Sequence, residues 1–185
     1  MSKKKEKKKP KYTVGPIETH CHLDYLKEAN LHGTLEKCRE YGIEKIITIA
    51  VSPENLKEVR RLATNEIIYG TQGIHPHQAK DITSDTYEEI TSNLANDKIV
   101  AVGEIGLDYY YEYSDPKVQK EAFEKQLQIA CDSDMPVVIH TREADEDTMI
   151  DLVVSKTLVE EEKLQEWNPP LIQRQKPKRL TLFQK

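Results

Sequence analysis

The chain has 185 residues, a formal net charge of −5, 37% hydrophobic residues and 32% charged residues. That length buries a core and makes one domain the default, and the composition is that of a globular chain rather than a disordered one. No apolar run approaches the ~20 residues of a bilayer-spanning helix, so no membrane segment is expected.

The charge is unevenly placed. Residues 1–11 carry seven Lys and one Glu, and residues 168–185 carry five basic residues and no acidic one, which leaves 15 basic against 31 acidic residues between them. An acidic body with basic ends argues against nucleic-acid binding by a broad basic surface. It remains compatible with a phosphate substrate held through cations, because bound ions invert the local charge. Cys21, Cys38 and Cys131 are odd in number and lack Cys-x-x-Cys spacing, which fits free thiols in a reducing, cytoplasmic compartment.

Taken in chain order, MSKKKEKKKPK is read as a solvated tail, residues 1–12, with a nuclear address as its other reading. PIETHCHL is a short strand ending in a polar loop, and LHGTLEKCREYG has helical spacing with a stop at Gly42. IEKIITIAVS is β-branched and apolar, hence a buried strand. PENLKEVRRLATNE opens with Ser52 as N-cap and Pro53 in the first helical turn. IIYGTQGIHPH reads as strand then loop, 83–95 as helix, and KIVAVGEIGLDYYY as strand then loop. DPKVQKEAFEKQLQIACDSD is a long amphipathic helix with Val118, Ala122, Leu127 and Ala130 near one face. MPVVIHTREA is a fifth strand, and a further helical stretch runs to about residue 165. Residues 166–185, with prolines, glutamines and basic residues in no readable period, are expected to be a second flexible tail.

Strands alternating with helices imply parallel pairing through right-handed crossovers, an α/β domain over residues 13–165. In such folds chemistry lies at the carboxyl ends of the strands. Four of the five strands lead into ligand-type residues: His20 and His22, His75 and His77, Glu104 and Asp108, His140 and Arg142. Strand two ends only in Ala50-Val51-Ser52. Alternation in a strand puts His20 and His22 on one face and turns Cys21 away. Two imidazoles with a carboxylate suit Zn²⁺ or Mn²⁺, whereas Mg²⁺ prefers oxygen-rich shells. Two adjacent cations form a clamp for phosphoester hydrolysis, and Arg142 could fork a phosphate. Each residue also has a plain alternative. Glu104 could be a salt-bridged surface carboxylate between loop-shaping glycines, His75 a turn residue, and Arg142 a partner of Glu143 or Asp145. Tyr109, Tyr110, Tyr111 and Tyr113 could stack on bases, but packing and loop anchoring is the expectation.

ETHCHLD, GIHPH, VGEIGLDYYY, QKEAFEKQLQIA and PVVIHTREA, in this order, resemble the TatD-type metal-dependent deoxyribonucleases over about 17–151. The resemblance implies a partial TIM-type (β/α)₈ barrel of about five parallel β/α units. It also implies a hydrolase using one or two divalent ions (Mg, Mn or Zn) to cleave DNA from the 3′ end. By motif position His20 and His22 would bind a first metal, Glu104 would bridge, and His140 would bind a second. Glu104 and Asp108 would be the catalytic carboxylates. His75, Asp108 and Arg142 fall where the family contacts substrate or supports its ligands. Glu18 stands where many members have Asp. The family's later histidine and Glu-Thr-Asp motifs do not occur here, which leads to the expectation of a shortened member with a divergent end. Its open sheet edges would invite self-association. The competing reading is a catalytically inactive product, or a nucleic-acid- or protein-binding module acting through its basic tails.

Overall fold

The computed structural model describes residues 15–149 and residue 151; the expected tails and the helix to residue 165 lie wholly or mostly outside the described residues. The strands are β1 (Ile17–Cys21), β2 (Lys45–Thr48), β3 (Ile68–Gln72), β4 (Ile99–Asp108) and β5 (Val137–Arg142). The helices are α1 (Glu28–Glu40), α2 (Leu56–Leu62), α3 (Ser84–Asn93) and α4 (Pro116–Asp132). Every strand pair is parallel, and the sheet order is β1-β2-β3-β4-β5.

That order separates two architectures which share the alternating pattern. A doubly wound sheet reverses its strand order at a switch point. Here each strand pairs with its neighbour in sequence, so the sheet winds one way and curls into five units of a TIM-type barrel wall. Among the described residues no helix is long and apolar enough to cross a membrane.

The helices start where local chemistry directs them. Ser52 and Asn55 form a reciprocal capping box around Pro53, although the first turn there is a 3₁₀ turn, Pro53–Asn55, and α2 follows only from Leu56 to Leu62. Thr83 and Thr86 cap α3 in the same reciprocal way, and the Asp115 carboxylate accepts the Lys117 N–H at the start of α4. The core lies between strands and helices. Val102, Ile105 and Leu107 of β4 pack on Phe123, Leu127 and Ala130 of α4, while Ala50, Leu56, Val59, Ile74, Ile90 and Ile129 form a second cluster. A third joins Leu23, Leu35, Ile46, Leu62 and Ile68.

On α4 the inward face differs from the expected stripe. Ala122, Leu127 and Ala130 are buried, Val118 is only partly so, and Gln119 and Gln126 are buried among the apolar residues. Their spacing of seven residues puts both on the helix face that meets the sheet.

Candidate metal centre

β1 delivers His20 and His22 to one place. Their rings meet edge to face with centroids 5.5 Å apart, while the Cys21 thiol turns the other way and donates to the Ile47 carbonyl. Burial is the main reason that thiol is pushed up to about 12, which leaves it protonated and inert at neutral pH. The Nδ1–H of His22 donates to the Ile49 carbonyl at 3.2 Å, which leaves its Nε2 lone pair for the site.

Glu104 lies inside β4 rather than beyond its end, where the pairing with β5 shifts register between Val102 and Ile105. The Gly103–Glu104 peptide is cis, and the flanking Gly103 and Gly106 have φ of +151° and +142°. A Cβ on Gly106 would run into the His140 carbonyl oxygen, so only glycine lets β4 approach β5 this closely beside the carboxylate. The two glycines therefore work within the strand, not in a loop. The Glu104 carboxylate reaches two ways: Oε2 lies 3.4 Å from His20 Nε2, and Oε1 lies 3.5 Å from His140 Nδ1. Burial opposes its ionisation, yet the His140 and His20 contacts outweigh that and hold it well below the usual carboxylate range.

Asp108, at the end of β4, is fully buried. Its Oδ1 accepts the N–H groups of Tyr110 and Tyr111 at 3.1 and 3.0 Å. Its Oδ2 accepts Nε2–H of His77 at 2.8 Å and of His140 at 3.1 Å. With both oxygens engaged, Asp108 meets the centre, among the described residues, through the His140 imidazole. The family resemblance placed it among the catalytic carboxylates; the geometry shows both oxygens taken up by four donors. It turns the His140 Nδ1 lone pair toward Glu104, the carboxylate–histidine arrangement found behind many metal ligands.

His75 is held from below. Its N–H donates to the Val51 carbonyl, and its Nδ1 accepts the N–H of His77 at 3.2 Å. Burial first, then the neighbouring His140 ring, lowers it to about 3, so it is neutral at physiological pH. A neutral ring accepting at Nδ1 carries its proton on Nε2.

Strand two, with no ligand of its own, supports the others. Three successive carbonyls after it, those of Ile49, Ala50 and Val51, accept from the His22 ring, the Glu104 N–H and the His75 N–H. The two buried glutamines of α4 act alike. Gln126 accepts the Ile74 N–H at 2.7 Å and donates back to the Ile74 carbonyl, just before His75. Gln119 does the same for the N–H and carbonyl of Asp108. These backbone and glutamine supports were not singled out from the sequence. The available signal was a polar residue recurring every seven positions on an otherwise apolar helix face.

Arg142 ends β5. Among the described residues it makes no ion pair with Glu143 or Asp145, and its guanidinium lies over the rings of Tyr111 and Tyr110, 5.1 and 5.7 Å from their centroids.

The donors therefore fall into two groups, His20–His22–Glu104 and His75–Glu104–His140, each with ligand-type atoms within 4.8 Å of one another, and Glu104 is common to both. The donor set fits divalent cations. Separations of 3.4 and 3.5 Å are long for N–H···O bonds, whose usual range is ~2.7–3.2 Å. They match the edge of about 3.3–3.4 Å between two ligands on a tetrahedral ion with bonds of about 2.0–2.1 Å. His22 and His140 each also have their outward nitrogen engaged, as ligating imidazoles do.

Comparison with known proteins agrees with this chemistry. Residues 17–159 match the signature of the family described as "TatD related DNase". A Bacillus subtilis protein named "Uncharacterized metal-dependent hydrolase YabD" is 31% identical over 135 residues, 72% of this chain and 53% of that protein. The human protein named "3'-5' RNA nuclease TATDN2" is 35% identical over 151 residues, 76% of this chain and 20% of its own. Citrobacter rodentium "3'-5' ssDNA/RNA exonuclease TatD" is 36% identical over 104 residues, covering 56% of this chain and 40% of that protein. The crystal structure of YjjV, a TatD homologue from Escherichia coli K12, superimposes with a TM-score of 0.69 at 31% identity, covering 75% of this chain and 55% of that one. The chain spans about half the length, or less, of these curated relatives.

Proposed function

The chain belongs to the family of TatD-related DNases, and from that premise we propose that it hydrolyses phosphodiester bonds of single-stranded nucleic acid from the 3′ end, using one or two divalent cations. The observation that carries this reading is Glu104, one ionised carboxylate shared by two donor groups at the strand tips. The names of the relatives support both the metal and the class of polymer.

In this reading His20, His22 and Glu104 hold one cation, and Glu104 with His140 holds the other. Imidazole and carboxylate together favour Mn²⁺ or Zn²⁺ over Mg²⁺. Bound there, divalent ions would supply Lewis-acid polarisation of the phosphoryl oxygen and a nucleophile at neutral pH. Asp108 keeps the His140 ring oriented. His75, with its proton on Nε2, donates to a phosphate oxygen, and Arg142 adds a guanidinium beside the same strand tips.

The deciding assay is release of 3′-terminal nucleotides from single-stranded DNA and RNA with added Mn²⁺, Zn²⁺ or Mg²⁺. The native chain is expected to release them only with metal, and the double variant His20→Ala, His22→Ala at least ~100-fold more slowly, since loss of outer partners alone costs ~10–100-fold. Equal rates in the two proteins would end the assignment. Binding without turnover in the native chain is the result that the competing reading, an inert nucleic-acid-binding module, requires.

The sheet edges carry a second part of the proposal. Among the described residues β1 and β5 each pair with a single strand, and β1 begins with three exposed residues. Unpaired edge groups template further pairing, so self-association is expected. Size-exclusion chromatography with light scattering should find dimers or larger species, and a monodisperse monomer at all concentrations would refute it.

A further inference from the structure

Beyond Asp108 the chain turns through four tyrosines within five residues. Packing accounts for one of them. Tyr109 lies against the core between β4 and α4, and its hydroxyl donates to Asp147 at 2.8 Å. Tyr110, Tyr111 and Tyr113 do not pack in this way: they are 58%, 47% and 58% exposed. Aromatic rings normally bury most of their surface, so three open ones within four residues need a reason.

They form an organised surface. The rings of Tyr111 and Tyr113 are parallel within 8° with centroids 5.6 Å apart, and Tyr110 meets Tyr111 edge-on at 4.7 Å. The Arg142 guanidinium covers Tyr110 and Tyr111. The assembly is also tied to the metal centre. The His77 ring sits edge-on to Tyr111 and Tyr113, at 5.6 and 4.7 Å, and His77 shares the Asp108 carboxylate with His140. That carboxylate accepts the N–H groups of Tyr110 and Tyr111 as well. One buried carboxylate therefore positions both a metal-facing imidazole and the aromatic surface.

We propose that Tyr110, Tyr111 and Tyr113, with Arg142, form a stacking platform for one or two nucleobases at the 3′ end of single-stranded nucleic acid, beside the donor groups. The proposal rests on the reading of the chain as acting on such a substrate and adds where the bases lie. Exposed aromatic rings beside a guanidinium suit an unpaired base, whose π face is free, and reject a duplex, whose faces are covered by its own stack. It also predicts tolerance of sequence, because every base offers a π face.

The test uses fluorescence anisotropy in Mn²⁺ buffer. Two 5′-labelled single strands with phosphorothioate 3′ linkages are compared, one of thymidines and one whose last two 3′ positions are abasic. The native chain is expected to prefer the first strand. The variant Tyr111→Ala, Tyr113→Ala should lose about 5- to 150-fold in affinity for it per stacked base, and bind the abasic strand as the native chain does. Tyr111→Trp should retain or raise the preference. Equal loss on both strands, no loss on either, or no preference in the native chain would overturn the platform. Nucleotide release is read separately: stacking without cleavage keeps the platform and removes the hydrolase, and cleavage without base preference does the reverse.

Discussion

Replacing Glu104 by alanine is expected to weaken divalent-cation binding at both donor groups at once, by more than ~100-fold. The reason is geometric. Its two carboxylate oxygens face different imidazoles, Oε2 toward His20 and Oε1 toward His140, and among the described residues no other carboxylate belongs to either group. Losing an outer partner of a metal ligand costs ~10–100-fold, and a shared ligand costs more. His20→Ala should instead affect one group and leave the other, at Glu104 and His140. Titration with Mn²⁺ and Zn²⁺, followed by calorimetry and by elemental analysis after desalting, separates the cases. If Glu104→Ala retains the native titration, the carboxylate is not a bridge and the centre has been misassigned.

Asp108→Ala is expected to have the largest combined effect on stability and metal binding. Four donors converge on this fully buried carboxylate: the N–H groups of Tyr110 and Tyr111 and the Nε2–H groups of His77 and His140. Removing it orphans four part-buried donors at once, a cost of about 2–4 kcal/mol. For a chain of this size that lowers Tm by roughly 5–15 °C. Asp108→Asn separates the two roles. An amide keeps one oxygen for the tyrosine N–H groups but turns an NH₂ toward two imidazoles that both donate. This variant should stay folded while metal affinity falls ~10–100-fold through a misoriented His140. Normal melting together with unchanged metal titration in Asp108→Asn would remove the positioning role.

What could be read from the sequence was whatever depends on near neighbours along the chain. Alternation within ETHCH put His20 and His22 on one face with Cys21 turned away, and the cap at Ser52 marks a helical start because it acts within three residues. Alternating strands and helices with ligand-type residues at the strand tips gave the fold class, and the quoted motifs led to the family.

Only the tertiary structure decided the rest, because those roles are exchanged between groups far apart in the chain. A register shift against β5, made room for by Gly103 and Gly106, sets Glu104 inside its strand and aims it at both donor groups. The carbonyls of Ile49, Ala50 and Val51 carry no chemical signature, yet they anchor His22, Glu104 and His75. Gln119 and Gln126 look like surface residues until the helix is laid on the sheet, where they clamp Asp108 and Ile74. The four tyrosines are alike as letters, and contact with the core selects Tyr109 for packing and leaves the others open to solvent. Local periodicity specifies which residue types reach a strand tip; a hydrogen-bond partner or a burial depth is a property of the folded surface that meets it.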